Sequence, residues 1–235
     1  MSREVSQKRV QPDLSTFRSL AVVMLHPKQS LPLLNRELKQ STDTNEKINY
    51  AKVLAALGSE SGREVLLHEV KDKPWDKGFG LTTHRETGNS YSDMDRLIIA
   101  LGNCAGKDVQ DAIMEKLRAL DPKHLWSHYR SVAIALQNNR TREAAEPLVE
   151  LLESPRFTGH AQHYGTDKTI VSRKITSASA RNELNDALRE LTTAGMLYSV
   201  GDHEGMGRKI LEVYRNEIGG HLARYAEAYL EAGQK

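Results

Sequence analysis

Ala100-Leu101-Gly102, with Lys107-Asp108 opening the next apolar stretch after a four-residue gap, is the middle copy of a unit written three times in this 235-residue chain. The first copy is Ala56-Leu57-Gly58 with Arg63-Glu64, and the third is Ala135-Leu136-Gln137 with Arg142-Glu143. Gly58 and Gly102 are 44 positions apart, and Gly102 and Gln137 are 35 apart. Self-similarity at a few tens of residues marks stacked supersecondary units, each too small to bury its own apolar face.

The period inside each unit is helical. Phe17, Leu20, Ala21, Met24 and Leu25 share one helical face, as do Met94, Leu97, Ile98 and Leu101. Tyr129, Val132, Ala133 and Leu136 repeat the spacing, and so do Leu222, Tyr225, Ala226 and Tyr229. No stretch alternates with period two, so the expected fold class is all-α. In full, it is an α-solenoid of HEAT/armadillo-like hairpins, about five pairs plus a C-terminal capping helix. The whole of 1–235 reads as one helical-repeat domain, with weaker repeats over 1–92.

The spacing predicts these pairs: Leu14–Leu25 with Ser30–Lys39, Glu46–Leu57 with Gly62–Lys71, Ser92–Leu101 with Lys107–Leu120, and Trp126–Gln137 with Thr141–Glu153. The fifth joins Ser179–Ser199 to Met206–Ile218, and His221–Glu231 is the cap beyond Gly219-Gly220. Pro32 and Pro147 are expected in the first turn or so of their helices, where the missing N–H costs little.

Charge and cysteine content exclude more than they identify. Lys and Arg total 33 against 31 Asp and Glu, interspersed as on solvated helix faces. Cys104 is the single cysteine, so neither an intrachain disulfide nor a Cys-rich metal site can form. No run approaches the ~20 apolar residues of a membrane span. Leu20 to Leu25 is too short for a signal-peptide core. The expectation is a cytoplasmic location with no membrane contact.

Two connections are long, Asp72 to about Tyr91 and Pro155 to about Thr176, and loops of that length are commonly functional. Both follow the second helix of a pair, which in a helical stack sets them on one edge. They carry the candidate interaction surface: Trp75, Phe79, His84 and Tyr91 in the first, Phe157, His160, His163 and Tyr164 in the second. Two readings stand for these side chains, a partner surface or a cover folded down over helix ends.

Catalytic patterns are incomplete. His160 and His163 have the spacing of a metal pair, with only Asp167 near enough to add a ligand. His124 and His128 are i,i+4 but lack the glutamate of a zinc hydrolase. His68-Glu69 and His203-Glu204 occupy non-equivalent helix positions. Gly78-Phe79-Gly80 and Gly205-Met206-Gly207 lack the third glycine of a dinucleotide fingerprint. A basic face for nucleic acid would rest on Arg96, Arg130, Arg173, Lys174 and Arg181, a thin pattern. No catalytic, cofactor-binding or metal-binding residue is assigned.

Glu143-Ala144-Ala145-Glu146-Pro147-Leu148-Val149-Glu150-Leu151-Leu152 resembles the second helix of a HEAT repeat. Further blocks are Ser127–Leu136, Arg189-Glu190-Leu191 with Leu197-Tyr198, Gly201–Leu211, and Gly220–Ala226. In this order they resemble the HEAT-like C-terminal region of bacterial FAD-dependent oxidoreductases, over 93–235. In that family the flavin sits in an upstream α/β domain, and none of its flavin-binding positions falls on these 235 residues. The resemblance implies a non-catalytic accessory region packing on a flavoprotein domain or protein partner, with FAD held only outside this sequence. Alternatives from other classes are a free-standing HEAT-repeat interaction module and a helical-repeat nucleic-acid binder.

Overall fold

A computed structural model describes residues 23–80, 91–139, 141–161 and 178–233 of the chain. It is all-helical, with no β-strand among the described residues. The helices are α1 (Pro27–Gln40), α2 (Thr44–Ala56), α3 (Arg63–Asp72), α4 (Asp93–Leu101) and α5 (Lys107–Arg118). They continue as α6 (Trp126–Asn139), α7 (Ala145–Glu153), α8 (Ala178–Val200), α9 (Met206–Glu217) and α10 (Gly220–Ala232). Single 3-10 turns at Glu60–Gly62, Arg142–Ala144 and His203–Gly205 lead into α3, α7 and α9.

Local chemistry sets the helix starts. Asp43 accepts a hydrogen bond from the Glu46 N–H at the head of α2. Ser92 and Asp95 form a reciprocal capping box at the head of α4. Pro147 is the third residue of α7, inside the first turn as expected. Pro32 is different. Helix α1 begins at Pro27 rather than Ser30, so Pro32 sits in the second turn and leaves the Lys28 carbonyl without its helical donor. The first expected helix, Leu14–Leu25, lies mostly outside the described residues; 23–25 are helical.

Contacts follow the order of the chain. Helices α2, α4, α6, α8 and α10 each pack on the next member of that series, and α3, α5 and α7 do the same beside them. Cross-contacts join α3 to α4, α5 to α6, α7 to α8 and α9 to α10. Close approach explains the glycine of the middle copy: a Cβ on Gly102 would stand 2.6 Å from the Ala135 Cα, so α4 can touch the backbone of α6 only without one.

The main core runs from Ile48 to Leu230, with Tyr129, Tyr214 and Phe157 the largest fully buried side chains. A smaller cluster of Leu34, Leu38, Tyr50, Val53 and Leu54 joins α1 to α2. No described helix is long and apolar enough to cross a membrane. Cys104 is buried, and burial pushes its thiol up to about 11, so it is a packing residue.

Candidate functional site

The segments 73–80, 119–125 and 154–161 each follow an odd-numbered helix, and they gather around the start of α6 and the middle of α8. A Cβ on Gly80 would lie 3.3 Å from the Asn185 Oδ1 on α8. At the next residue, the Thr158 hydroxyl donates to the Asp186 carboxylate at 2.6 Å. Arg189 bonds the carbonyls of Pro122 and His124 and pairs with Asp186. Three loops thus meet one stretch of α8.

The first loop is fastened by a buried polar cluster. His128, near the start of α6, sets Nδ1 2.7 Å from the Asp95 Oδ1 and Nε2 3.0 Å from the Asp76 carbonyl oxygen. Both ring nitrogens face oxygen acceptors. Asp95 also accepts from the Ser92 N–H at 2.8 Å and from the Ser127 hydroxyl. Burial would raise the Asp95 carboxyl; the bonds from His128 and Ser127, the His128 charge and the Ser92 N–H outweigh it and hold the group below its usual range.

The backbone of the loop completes the fastening. The Phe79 N–H donates to the Ser127 Oγ at 2.8 Å, and the Ser127 N–H donates to the Phe79 carbonyl at 3.1 Å. The Asp76 carboxylate accepts from the N–H groups of Gly78 and Met94. Trp75 covers the His128 ring, with centroids 4.3 Å apart. Gly78 has φ +67°, and a Cβ there would stand 2.7 Å from the His128 Nε2, so both the turn and the approach require glycine.

Asp95, Ser127 and His128 have the composition of a nucleophilic triad and different wiring. The serine hydroxyl bonds to Asp95 and the Phe79 N–H, and His128 bonds to Asp95 and the Asp76 carbonyl. All three side chains have no solvent exposure. A nucleophile needs the base at its hydroxyl and an open path for substrate. This cluster instead staples a loop to two helices.

A second buried cluster holds the loop after α7. The Tyr214 hydroxyl donates to the Glu190 Oε2 at 2.7 Å and accepts from the His160 N–H at 3.1 Å. The Ala161 N–H donates to the same carboxylate oxygen at 2.9 Å. Burial first, then the Glu190 charge, raises the Tyr214 hydroxyl well above its ordinary value. His160 Nε2 lies 3.4 Å from the Glu217 carboxylate. Gly159 packs so closely on Glu190 that a Cβ would overlap the carboxyl group.

Beside this cluster, a cleft of about 350 Å³ lies between α7 and α9, lined by Val149, Glu153, His203, Glu204, Lys209 and Ile210 among others. Its wall includes Glu204, whose backbone is in the left-handed region at φ 49°; Asp202, two residues earlier, is also left-handed at φ 48°. Asp202 gains a compensating bond, because its carboxylate accepts from the Arg208 N–H in the first turn of α9.

The expected surface residues fall into three groups. Phe157 is 2% exposed and rests on Tyr129 with ring centroids 5.8 Å apart, and His160 is 8% exposed. These two are interior. Trp75, Phe79 and Tyr91 are half-buried on the loop edge, Tyr91 against the guanidinium of Arg130. His84, His163 and Tyr164 lie outside the described residues. Among the described residues no group of three His, Cys, Asp or Glu is placed to hold a metal ion.

Sequence reading gave no site role to Asp95, Asp76, Ser127, Arg189, Glu190 or Tyr214, although Ser127, Arg189 and Glu190 fall in the resemblance blocks. Only Asp95 carried a local signal, the Ser92-x-x-Asp95 capping pattern; the other partners meet through tertiary packing. Comparisons with protein-family models, curated proteins and solved structures return no match for the chain.

Proposed function

We propose that the chain is a non-catalytic helical-repeat accessory domain, an α-solenoid that docks on a protein partner. The observation that carries this reading is the order of helix contacts. Two parallel series of neighbours, α2-α4-α6-α8-α10 and α3-α5-α7, are what stacked hairpins produce when each covers the last. A closed bundle would bring the first and last helices together.

The block resemblance over 93–235 makes a flavoprotein domain the favoured partner, with FAD bound there and not here. The buried clusters agree with an accessory role. Their acids and bases are committed to holding loops, which gives a rigid edge for recognition rather than an open reaction centre. Convergence of three loops on Asn185–Glu190 favours a second reading, a free-standing interaction module using the same edge.

Equilibrium dialysis of the purified chain against FAD tests the proposal. The expected result is colourless protein with no flavin absorbance above the dialysate. Stoichiometric uptake with a flavin spectrum overturns the non-catalytic reading.

A further inference from the structure

The surface made by the even-numbered helices carries a second cluster, apart from the loop staples. Arg130 on α6 places its guanidinium carbon 4.6 Å from the Tyr91 ring centroid and 5.4 Å from that of Trp126. Trp126 is fixed by its indole N–H, which donates to the Thr192 hydroxyl on α8 at 3.1 Å. Tyr225 and Tyr229 approach from α10: Tyr229 is an electrostatic neighbour of Arg130, Tyr91 and Tyr225. The Tyr229 ring lies flat on Gly195 of α8, where a Cβ would stand 2.6 Å from three ring carbons. Tyr225 is 40% exposed.

Arg130 has no carboxylate partner among the described residues. Elsewhere on the chain, Arg63, Arg189 and Arg208 pair with Asp108, Asp186 and Glu212. Asp95, the carboxylate that acts electrostatically on Tyr91, is committed to His128. The Arg130 guanidinium thus sits beside two aromatic rings, and its planar N–H edge is the part that can bond an oxyanion. That edge matches a carboxylate in two parallel bonds.

A lone arginine set among tyrosine and tryptophan has the composition of a protein-binding hot spot. A nucleic-acid backbone asks instead for a run of cations. The basic residues around Lys52 do not supply one, because Lys52 has Asp93 and Glu69 as well as Arg96 and Lys73 as electrostatic neighbours. We propose that Arg130, with Tyr91, Trp126, Tyr225 and Tyr229 around it, anchors a docking surface for a partner-protein segment that carries an aspartate or glutamate between apolar residues. This deepens the docking-domain reading and rests on it.

The test is a random dodecapeptide phage library selected on the intact chain and counter-selected on Arg130→Gln. Enriched peptides are then synthesised and measured by fluorescence polarisation. The expected outcome is enrichment of Asp or Glu flanked by apolar residues. Binding should fall at least tenfold in R130Q, about 1.4 kcal/mol. It should also weaken in Tyr225→Ala, an exposed change that leaves the fold intact, and vanish when the acid is replaced by its amide.

Peptides without acids, peptides that bind R130Q as well as wild type, or no enrichment at all overturn the proposal. So does tighter, Arg130-dependent binding of single-stranded oligo-dT. Thermal melts of both variants confirm that loss is not unfolding. A partner held equally by wild type and R130Q removes this surface and leaves the docking-domain reading standing, whereas FAD uptake removes that reading by itself.

Discussion

His128 Nδ1 stands 2.7 Å from Asp95 Oδ1 across 33 residues of sequence, and neither side chain is exposed to solvent. Around that bond the chain ties α4, α6 and the 73–80 loop together. A buried pair of this kind is costly to break from one side, since the remaining charge loses its partner. Asp95→Ala is expected to destabilise the protein by about 3–5 kcal/mol in urea titrations. Hydrogen exchange should show the Phe79 and Ser127 amides losing protection together. A loss below about 1 kcal/mol would contradict the staple.

The same pair gives a pH dependence with a definite sign. The folded-state pKa of Asp95 is held below its ordinary value of 3.8. A depressed carboxyl contributes stability that is fully present above the unfolded value and is lost as pH falls through the folded one. The stability gap between wild type and Asp95→Asn is therefore expected to narrow below pH 3.8, measured by urea midpoints from pH 5 downward. A gap that widens on acidification contradicts the assignment.

Gly58 and Gly78 separate backbone strain from steric contact. Both have positive φ, 75° and 67°, but a Cβ on Gly58 meets open space and one on Gly78 meets the His128 ring. Gly58→Ala is expected to cost about 1–2 kcal/mol, the left-handed penalty alone. Gly78→Ala should cost at least about 1 kcal/mol more, from overpacking. Equal losses in paired melts would show that the loop yields without effect on the staple.

Glu204 holds a left-handed backbone with no glycine to relieve it. Glu204→Gly is expected to stabilise the fold by about 0.5–1 kcal/mol, because relief of strain exceeds the added chain entropy. A destabilised variant would show that the Glu204 side chain contributes bonds worth more than the strain. Chemical denaturation of the two proteins decides between these.

Helix positions were legible because periodicity and caps are local. Trp126–Gln137 is observed as Trp126–Asn139, and Met206–Ile218 as Met206–Glu217. Pro32 shows the limit: helix α1 starts three residues before Ser30 and takes the proline into its second turn. The candidate surface was less legible. Phe157 and His160 sit in a loop, where no period distinguishes inward from outward, and the core continues past the helix ends to cover both. His124 and His128 carried a visible i,i+4 signal whose meaning lay in Asp95 and Asp76, on segments that only packing brings near.

Native-state hydrogen exchange on Leu54→Ala tests the proposed stack most directly. Leu54 is fully buried in the α1–α2 cluster, and its truncation should remove about 2–5 kcal/mol from that end. Hairpins that touch only their neighbours confine the damage. Amides in α1 to α3 should exchange faster, while those of α8, α9 and α10 keep wild-type protection. An equal loss of protection in all helices would contradict the stacked-hairpin account.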